Sequence, residues 1–429
     1  MFKTKKKTYL IPIIGFLNII LIGSILLYLP ISNKVGLSYK DCLFLSTSGV
    51  STTGLTKGPL VEQFTFFGQV ILALLMELGA MGFLIFVSYF WSMKHKKMRM
   101  SDIMVINDNI SGDDYSNIKK HSIFICSYML RVQIVGFILL VFNFLPQFGI
   151  RGIWYSIFHT ISAFSNTGMD LFGAQSMTMF AGDTYVQIIT ILLMFLGSLG
   201  ILVIEDLKDK SFKFNKLKLQ TKIVLVYTAI LLIVPTIIMK IYDPELTVIN
   251  SLFMAMTSRS TGFSILPLSG FEFESKFILA VLMFIGGGPT STSGGIRILT
   301  FAVILSTVIA TIKGKSETII AWKTIPEETV RRAFTIVIVF LLVIFIGSFT
   351  ILHFDDHLNM GDIVFDIVSA ISNTGLSLID SSEISIVTDI VFIIVMFIGR
   401  VGPLTILLTF INNDNKDKYV KYPSENLVL

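Results

Sequence analysis

Hydrophobic residues run along this chain in eight long blocks separated by polar connections. The blocks lie near 9–29, 66–92, 122–145, 185–205, 222–240, 276–311, 332–352 and 386–411. A helix needs about 20 apolar residues to cross a bilayer, so the pattern predicts eight membrane spans. Every second connection holds a shorter semi-apolar segment, near 40–51, 154–165, 247–258 and 363–372. About ten helical residues rise only ~15 Å, half the hydrocarbon thickness. Such a segment must enter and leave by the same face. The expectation is four units, each a span, a re-entrant segment and a second span.

Self-similarity supports the same division. The re-entrant segments end in SGVSTTGL (48–55), SAFSNTGM (162–169), MTSRSTGF (256–263) and SAISNTGL (369–376). Each carries a Thr-Gly pair: Thr53-Gly54, Thr167-Gly168, Thr261-Gly262 and Thr374-Gly375. A second pattern follows the first Gly by 25, 29, 24 and 24 residues: GAMG (79–82), GSLG (197–200), GGGP (286–289) and GRVG (399–402). Small-x-x-small clusters serve close helix packing in membranes, which accounts for GAMG, GSLG and GRVG. It does not account for four polar Thr-Gly tips inside apolar protein.

Composition narrows the class. Of 429 residues, 53% are hydrophobic and 15% charged, where soluble domains carry about 25% charge. A soluble enzyme of this size lacks the polar surface it needs. Charge is also unevenly placed. Of the 34 Lys and Arg, 24 fall in the N-terminus, the segments 93–121, 206–222 and 312–332, and the tail after 411. The alternate connections carry acids such as Asp243, Glu245, Asp355 and Asp356. The positive-inside rule places both termini in the cytoplasm. The net charge of +5 is thus a topology signal, and no nucleic-acid surface is expected. Lys3, Lys5, Lys6 and Lys7 precede an apolar run without a small-x-small cleavage site, so 9–29 reads as a retained span. Cys42 and Cys126 form no metal or disulfide motif. His353 and His357, four apart, are a weak metal signal in an outer loop.

Non-helical backbone at membrane depth is tolerated where it lines a watery cavity or is buried in protein. Four such tips around one axis would build a ring. Gly admits positive φ, which lets neighbouring carbonyls turn toward that axis. A carbonyl ring can replace the hydration shell of a monovalent cation. The C-terminal dipole end of each short helix would point at the same place. None of the tips contains a carboxylate, which argues against a divalent-cation site. No catalytic constellation lies at a plausible depth, so the chain is not expected to be an enzyme.

On these motifs the chain resembles the Trk/Ktr/HKT superfamily of potassium uptake proteins, nearest the bacterial Ktr membrane subunit of the KtrB/KtrD type. The resemblance covers about 1–411. It implies an all-α membrane protein of eight transmembrane helices, in four M1–P-loop–M2 repeats with pseudo-fourfold symmetry around a central pore. The units would be 1–98, then 99–210 with its linker, 211–315, 316–411, and a cytoplasmic tail 412–429. It implies a selectivity filter from Ser51, Thr52, Thr53 and Gly54; Ser165, Asn166, Thr167 and Gly168; Ser260, Thr261 and Gly262; and Asn373, Thr374 and Gly375. Plant relatives with sodium preference carry Ser at the position of Gly54, so potassium is the implied substrate. No cofactor is implied in this chain. Sodium is a candidate coupling ion. The implied partners are a second copy of the chain, the lipid of the cytoplasmic membrane, and a cytoplasmic RCK-type nucleotide-binding ring of the KtrA/KtrC kind. Open alternatives are a sodium-conducting or sodium-coupled relative, and the pore subunit of an ATPase-driven potassium pump.

The third unit differs. Residues 286–297 read GGGPTSTSGGIR, and five Gly with one Pro cannot continue a helix at low cost. A helix broken at mid-membrane commonly lines a transport pathway. In the resembled family this run is an intramembrane gate, here Gly286, Gly287, Gly288, Pro289, Thr290, Ser291, Thr292, Ser293, Gly294 and Gly295; a buried hinge is the plainer reading. Arg400 sits inside the last block, where charge is costly. The family reading has it hold the gate loop. The plainer one is an ion pair, for instance with Glu77, which stands where the family commonly has Gln. Arg259 is expected to brace the third tip to an outer acid. Arg297 would hold the second half-helix against a carbonyl or a carboxylate.

Overall fold

The computed structural model describes residues 2–82, 118–380, 384–402 and 405. The ends of the second and last apolar blocks, the linker before 118 and the tail 412–429 lie outside the described residues. What is described is mostly helical. One two-residue antiparallel pair, Ile319–Ile320 with Lys323–Thr324, is an addition the hydropathy pattern does not announce.

The elements follow the expected order. Helix α1 (Phe2–Tyr28) turns into the short α2 (Tyr39–Ser51) and is followed by α3 (Phe66–Met81). Next come α4 (Ile118–Phe148), α5 (Arg151–Phe164), α6 (Thr184–Ser198) and α7 (Ile201–Asp209). Then come α8 (Leu219–Tyr242), α9 (Val248–Thr257), α10 (Phe273–Ile285) and α11 (Ile298–Ile312). The last are α12 (Glu327–Phe354), α13 (Met360–Ile371) and α14 (Ile386–Val401). Among the described residues, helices α1, α4, α8 and α12 each hold a segment long and apolar enough to cross a membrane. Their outer faces expose large side chains, among them Phe142, Phe345 and Phe349, a surface that suits lipid rather than water.

Polar caps start several of these helices. Ser38 Oγ accepts from Asp41 N at α2, Thr65 Oγ1 from Gly68 N at α3, Thr247 Oγ1 from Asn250 N at α9, and Ser385 Oγ from Thr388 N at α14. Each satisfies a donor the first turn leaves free, worth about 1 kcal/mol.

The second helix of each unit, as far as it is described, is short. Helices α3, α6, α10 and α14 span 16, 15, 13 and 16 residues. Each stops at a glycine in the left-handed region: Gly82 (φ +74°), Gly200 (+92°), Gly286 (+73°) and Gly402 (+90°). The sequence reading expected a break in the third unit alone. In all four units the described helix ends at the matching motif, and the block 185–205 is two helices, α6 and α7. What distinguishes the third unit is the length of the break, the run 286–297 between α10 and α11.

The packing reading of the small clusters holds. A Cβ on Gly79, Gly197 or Gly399 would overlap the carbonyl oxygen of Val50, Phe164 or Ile371 respectively. These carbonyls lie at the last turns of α2, α5 and α13, so each glycine seats a short helix against its partner. Gly197→Ala should therefore overpack this contact, costing about 1–3 kcal/mol. A lowered thermal midpoint of the detergent-solubilised protein checks it; an unchanged midpoint would refute the contact.

Candidate functional site

The four Thr-Gly tips meet. A Cβ on Gly54 would overlap the carbonyl oxygen of Thr167; one on Gly168, that of Thr261; one on Gly262, that of Thr374; and one on Gly375, that of Thr53. The relation passes from each tip to the next and returns to the first, so the tips form a closed ring. All four glycines have positive φ, from +78° to +94°. Only a residue without Cβ fits both that backbone and that approach.

The short helices deliver the tips in a common way. Thr53 N, Thr167 N and Thr374 N donate to the carbonyls of Ser48, Ser162 and Ser369, each at 2.9 Å. The residue before each Thr is left-handed: Thr52 (φ +55°), Asn166 (+53°) and Asn373 (+50°), with Ser260 at +154° in the third tip. Asn tolerates this region better than most side chains. Within tips, Ser51 pairs with Thr53 at 2.6 Å and Ser165 with Thr167 at 2.8 Å. Between tips, Thr261 Oγ1 donates to Asn166 Oδ1 at 2.7 Å, and Asn373 Nδ2 donates to Thr53 Oγ1 at 3.0 Å. The Ser, Thr and Asn side chains of the tips are buried, while Gly54, Gly168, Gly262 and Gly375 are partly accessible.

That accessible side opens into a cavity of about 370 Å³. Its lining includes the four glycines with Asp170 and Asp366, and no residue of 286–297. Asp366 accepts from Leu378 N at 2.8 Å and from Ser377 Oγ at 2.5 Å, and Asp170 accepts from Phe172 N and Ser176 Oγ. Sequence reasoning passed over both acids, although Asp366 is an isolated charge inside a semi-apolar segment and Asp170 follows Gly168 by two positions.

The Gly-rich loop 286–297 packs against the same tips. Asn166 Nδ2 donates to Thr292 Oγ1 at 2.5 Å. Thr292 O accepts from Thr52 Oγ1 at 3.3 Å and from Arg400 Nη1 at 2.8 Å. Gly294 N donates to Ser260 Oγ, and Gly288 N to Ser198 O, each at 2.9 Å. A Cβ on Gly294 would overlap Ser372 O, and one on Gly288, Leu199 O. Thr290, Ser291 and Ser293 turn their hydroxyls elsewhere: Thr290 to Pro289 O, Ser291 to Gly288 O, while Ser293 Oγ has no hydrogen-bond partner among the described residues.

The charged residues near the loop differ in part from expectation. Arg400 Nη2 donates to Gly79 O at 2.5 Å, so both its contacts are carbonyls. Glu77 is not its partner; that carboxylate accepts from Gln133 Nε2 at 2.8 Å. Arg259 reaches no acid among the described residues. It is buried, with Nη2 at 3.4 Å from Thr228 Oγ1 and no partner for Nε and Nη1 among the described residues. Arg297 starts α11 with φ +73° and an exposed side chain that makes no hydrogen bond or ion pair among the described residues. His353 packs its ring on Phe354. No group of three or more His, Cys, Asp or Glu is placed to hold a metal among the described residues.

One ionic cluster was not foreseen. Lys57 Nζ lies 2.5 Å from Asp389 Oδ2 and 3.0 Å from Asp41 Oδ1, and Lys40 Nζ lies 2.6 Å from Asp389 Oδ2. The hydrogen bond to Asp389 raises Lys40 above the ordinary lysine value. The signal was a lone acid in the first turn of an apolar block.

The chain is similar to known proteins over nearly its whole length. Residues 4–422 match the family model TrkH, described as a cation transport protein. The chain is 31% identical to the Ktr system potassium uptake protein B of Bacillus subtilis, over 96% of this chain and 94% of that one. It is 30% identical to the potassium/sodium uptake protein NtpJ of Enterococcus hirae, over 97% and 95%. The solved potassium transporter TrkH from Vibrio parahaemolyticus shares the fold, with a TM-score of 0.75 at 16% identity, covering 95% of this chain and 85% of that one.

The bonds between Asn166, Thr261 and Thr292 make a testable unit. Asn166→Leu leaves the buried Thr261 hydroxyl without a partner, at a cost of about 1–3 kcal/mol, whereas Thr292 Oγ1 keeps the carbonyl of Gly197. A double-mutant cycle of Asn166→Leu with Thr261→Val should give a coupling of about 0.5–3 kcal/mol in thermal stability; additive losses would contradict the shared bond.

Proposed function

Because the chain belongs to the TrkH family of cation transport proteins, we propose that it carries potassium into the cell as the ion-translocating subunit of a Ktr-type system in the cytoplasmic membrane. The carrying observation is the closed ring of four Thr-Gly tips, each glycine fitted to the next tip's threonine carbonyl. In this reading eight transmembrane helices, in four pseudo-fourfold repeats (1–98, 99–210, 211–315 and 316–411), surround one pore. Both termini are cytoplasmic. Carbonyls around Gly54, Gly168, Gly262 and Gly375 replace the water of a dehydrating potassium ion. The Ser, Thr and Asn side chains of the tips hold those carbonyls in place. A carbonyl ring selects through dipoles, so it needs no formal charge.

The loop 286–297 is the gate in this reading, pinned against the tips by Thr292 and by Arg400. The guanidinium adds a positive charge that opposes cation passage while the loop is seated. Moving the loop means breaking the Thr292 contacts, and a cytoplasmic RCK-type ring acting on a homodimer would supply the free energy. The name of the second relative keeps sodium in view, as alternative substrate or coupling ion.

Two experiments test this. Expression in a strain deficient in potassium uptake, with and without an RCK partner, should restore growth on low potassium; a well-expressed protein that never rescues refutes the reading. In the rescued strain, Gly54→Ser should lower the potassium-to-sodium selectivity and shortening 288–294 should raise flux. Unaltered selectivity counts against the filter, and unaltered or abolished flux in a folded variant counts against the gate.

A further inference from the structure

Lys57 lies three residues beyond Gly54, so the chain can carry it at most about 11 Å from the ring. A free ammonium there would stand over the path of an entering cation. Its neighbours Thr56 and Gly58 line the cavity above the ring, and Lys57 does not. Its side chain is turned aside and 11% exposed. The ammonium sits 5.2 Å from the ring centroid of Phe44, itself a lining residue, as in a cation–π contact. Beyond that ring it is held by Asp41 and by Asp389, whose carboxylate is wholly buried.

We propose that Asp389 is a positioning residue for cation entry: it holds the Lys57 ammonium behind Phe44 and cancels its charge at the mouth of the ring. The proposal rests on the transport reading above. The cluster is balanced, with Lys40 and Lys57 against Asp41 and Asp389. Removing Asp389 leaves one excess positive charge beside the cavity and frees the Lys57 side chain to swing toward it. Asp389 starts α14, so the fourth unit guards the exit of the first unit's tip. A simple structural brace between these units would not require ions, since apolar pairs of similar volume serve as well or better.

The test is potassium uptake in cells, with transport normalised to protein in the membrane. Asp389→Asn should raise the KM for potassium about tenfold, the size of one unit charge felt at roughly 10 Å in a medium of intermediate dielectric. Its Vmax per folded protein should hold within about twofold, because the chemistry of the ring is untouched. Lys57→Met alone leaves one excess negative charge and should lower the KM, and Lys57→Met with Asp389→Asn should regain the wild-type KM. A second arm leaves Asp389 in place. Lys57→Cys treated with a trimethylammonium thiosulfonate, which cannot donate a hydrogen bond to Asp389, should show the raised KM; a neutral thiosulfonate of similar size should not. Wild type with buried Cys42 and Cys126 is the reagent control. A brace predicts lost protein or lost Vmax with KM unchanged, and that result overturns the proposal. So does a raised KM that persists in the double variant, or equal effects of the two reagents; if Asp389→Asn is absent from the membrane, the reagent arm decides alone. A wild-type chain without uptake defeats the transport reading and this proposal together, whereas wild-type uptake with an indifferent Asp389→Asn defeats this proposal only.

Discussion

The structure depends on backbone meeting backbone without a side chain between. At each tip a glycine lies against the threonine carbonyl of the next, and one added carbon at any of the four would force the ring apart. Everything around the tips can be understood as a means of holding that approach. The short helices bring the chain in from one side, the left-handed residue turns it, and the second helix closes on the last turn through another glycine. Polar groups taken so deep must find partners, since each one left bare costs several kcal/mol away from water. Ser51 with Thr53, Ser165 with Thr167, Asn166 with Thr261 and Asn373 with Thr53 meet that demand for one another, while Ser372 Oγ and Thr374 Oγ1 have no partner among the described residues.

The same demand explains the loop 286–297. A stretch of twelve residues without regular structure has many free amides and carbonyls. Here Gly288 N and Gly294 N find Ser198 O and Ser260 Oγ, Thr292 joins three units, and Arg400 covers carbonyls of the first and third. The loop is satisfied only while it is seated, which is what a two-position element requires.

Much of this was legible in the residues. The length of the apolar blocks gave the long helices, and the spacing of Thr-Gly pairs located all four tips to the residue, because only glycine suits such a backbone. The ends of α3, α6 and α14 were not legible: a single glycine in an apolar block reads as a packing site, and Gly79 and Gly82 look alike until one is seen to seat the helix and the other to end it. Partners of charged groups were the hardest to read. Glu77 and Arg400 have opposite charge and suitable depth, yet Gln133 and two carbonyls take their places. Sequence shows which residues are costly to bury, whereas direction and distance decide which neighbour compensates them. Asp389 and Lys57 are far apart in the chain, and nothing local links them.

Closure of the ring also has a consequence in time. The bond from Asn373 to Thr53 joins positions 320 apart, and the glycine that rests on Thr53 belongs to the last tip to leave the ribosome. Contacts of such long sequence separation form late. Until the fourth unit is in place the first three tips lack a neighbour on one side, so a half-made chain in the membrane holds an open arc, and no complete ring exists until synthesis is nearly done.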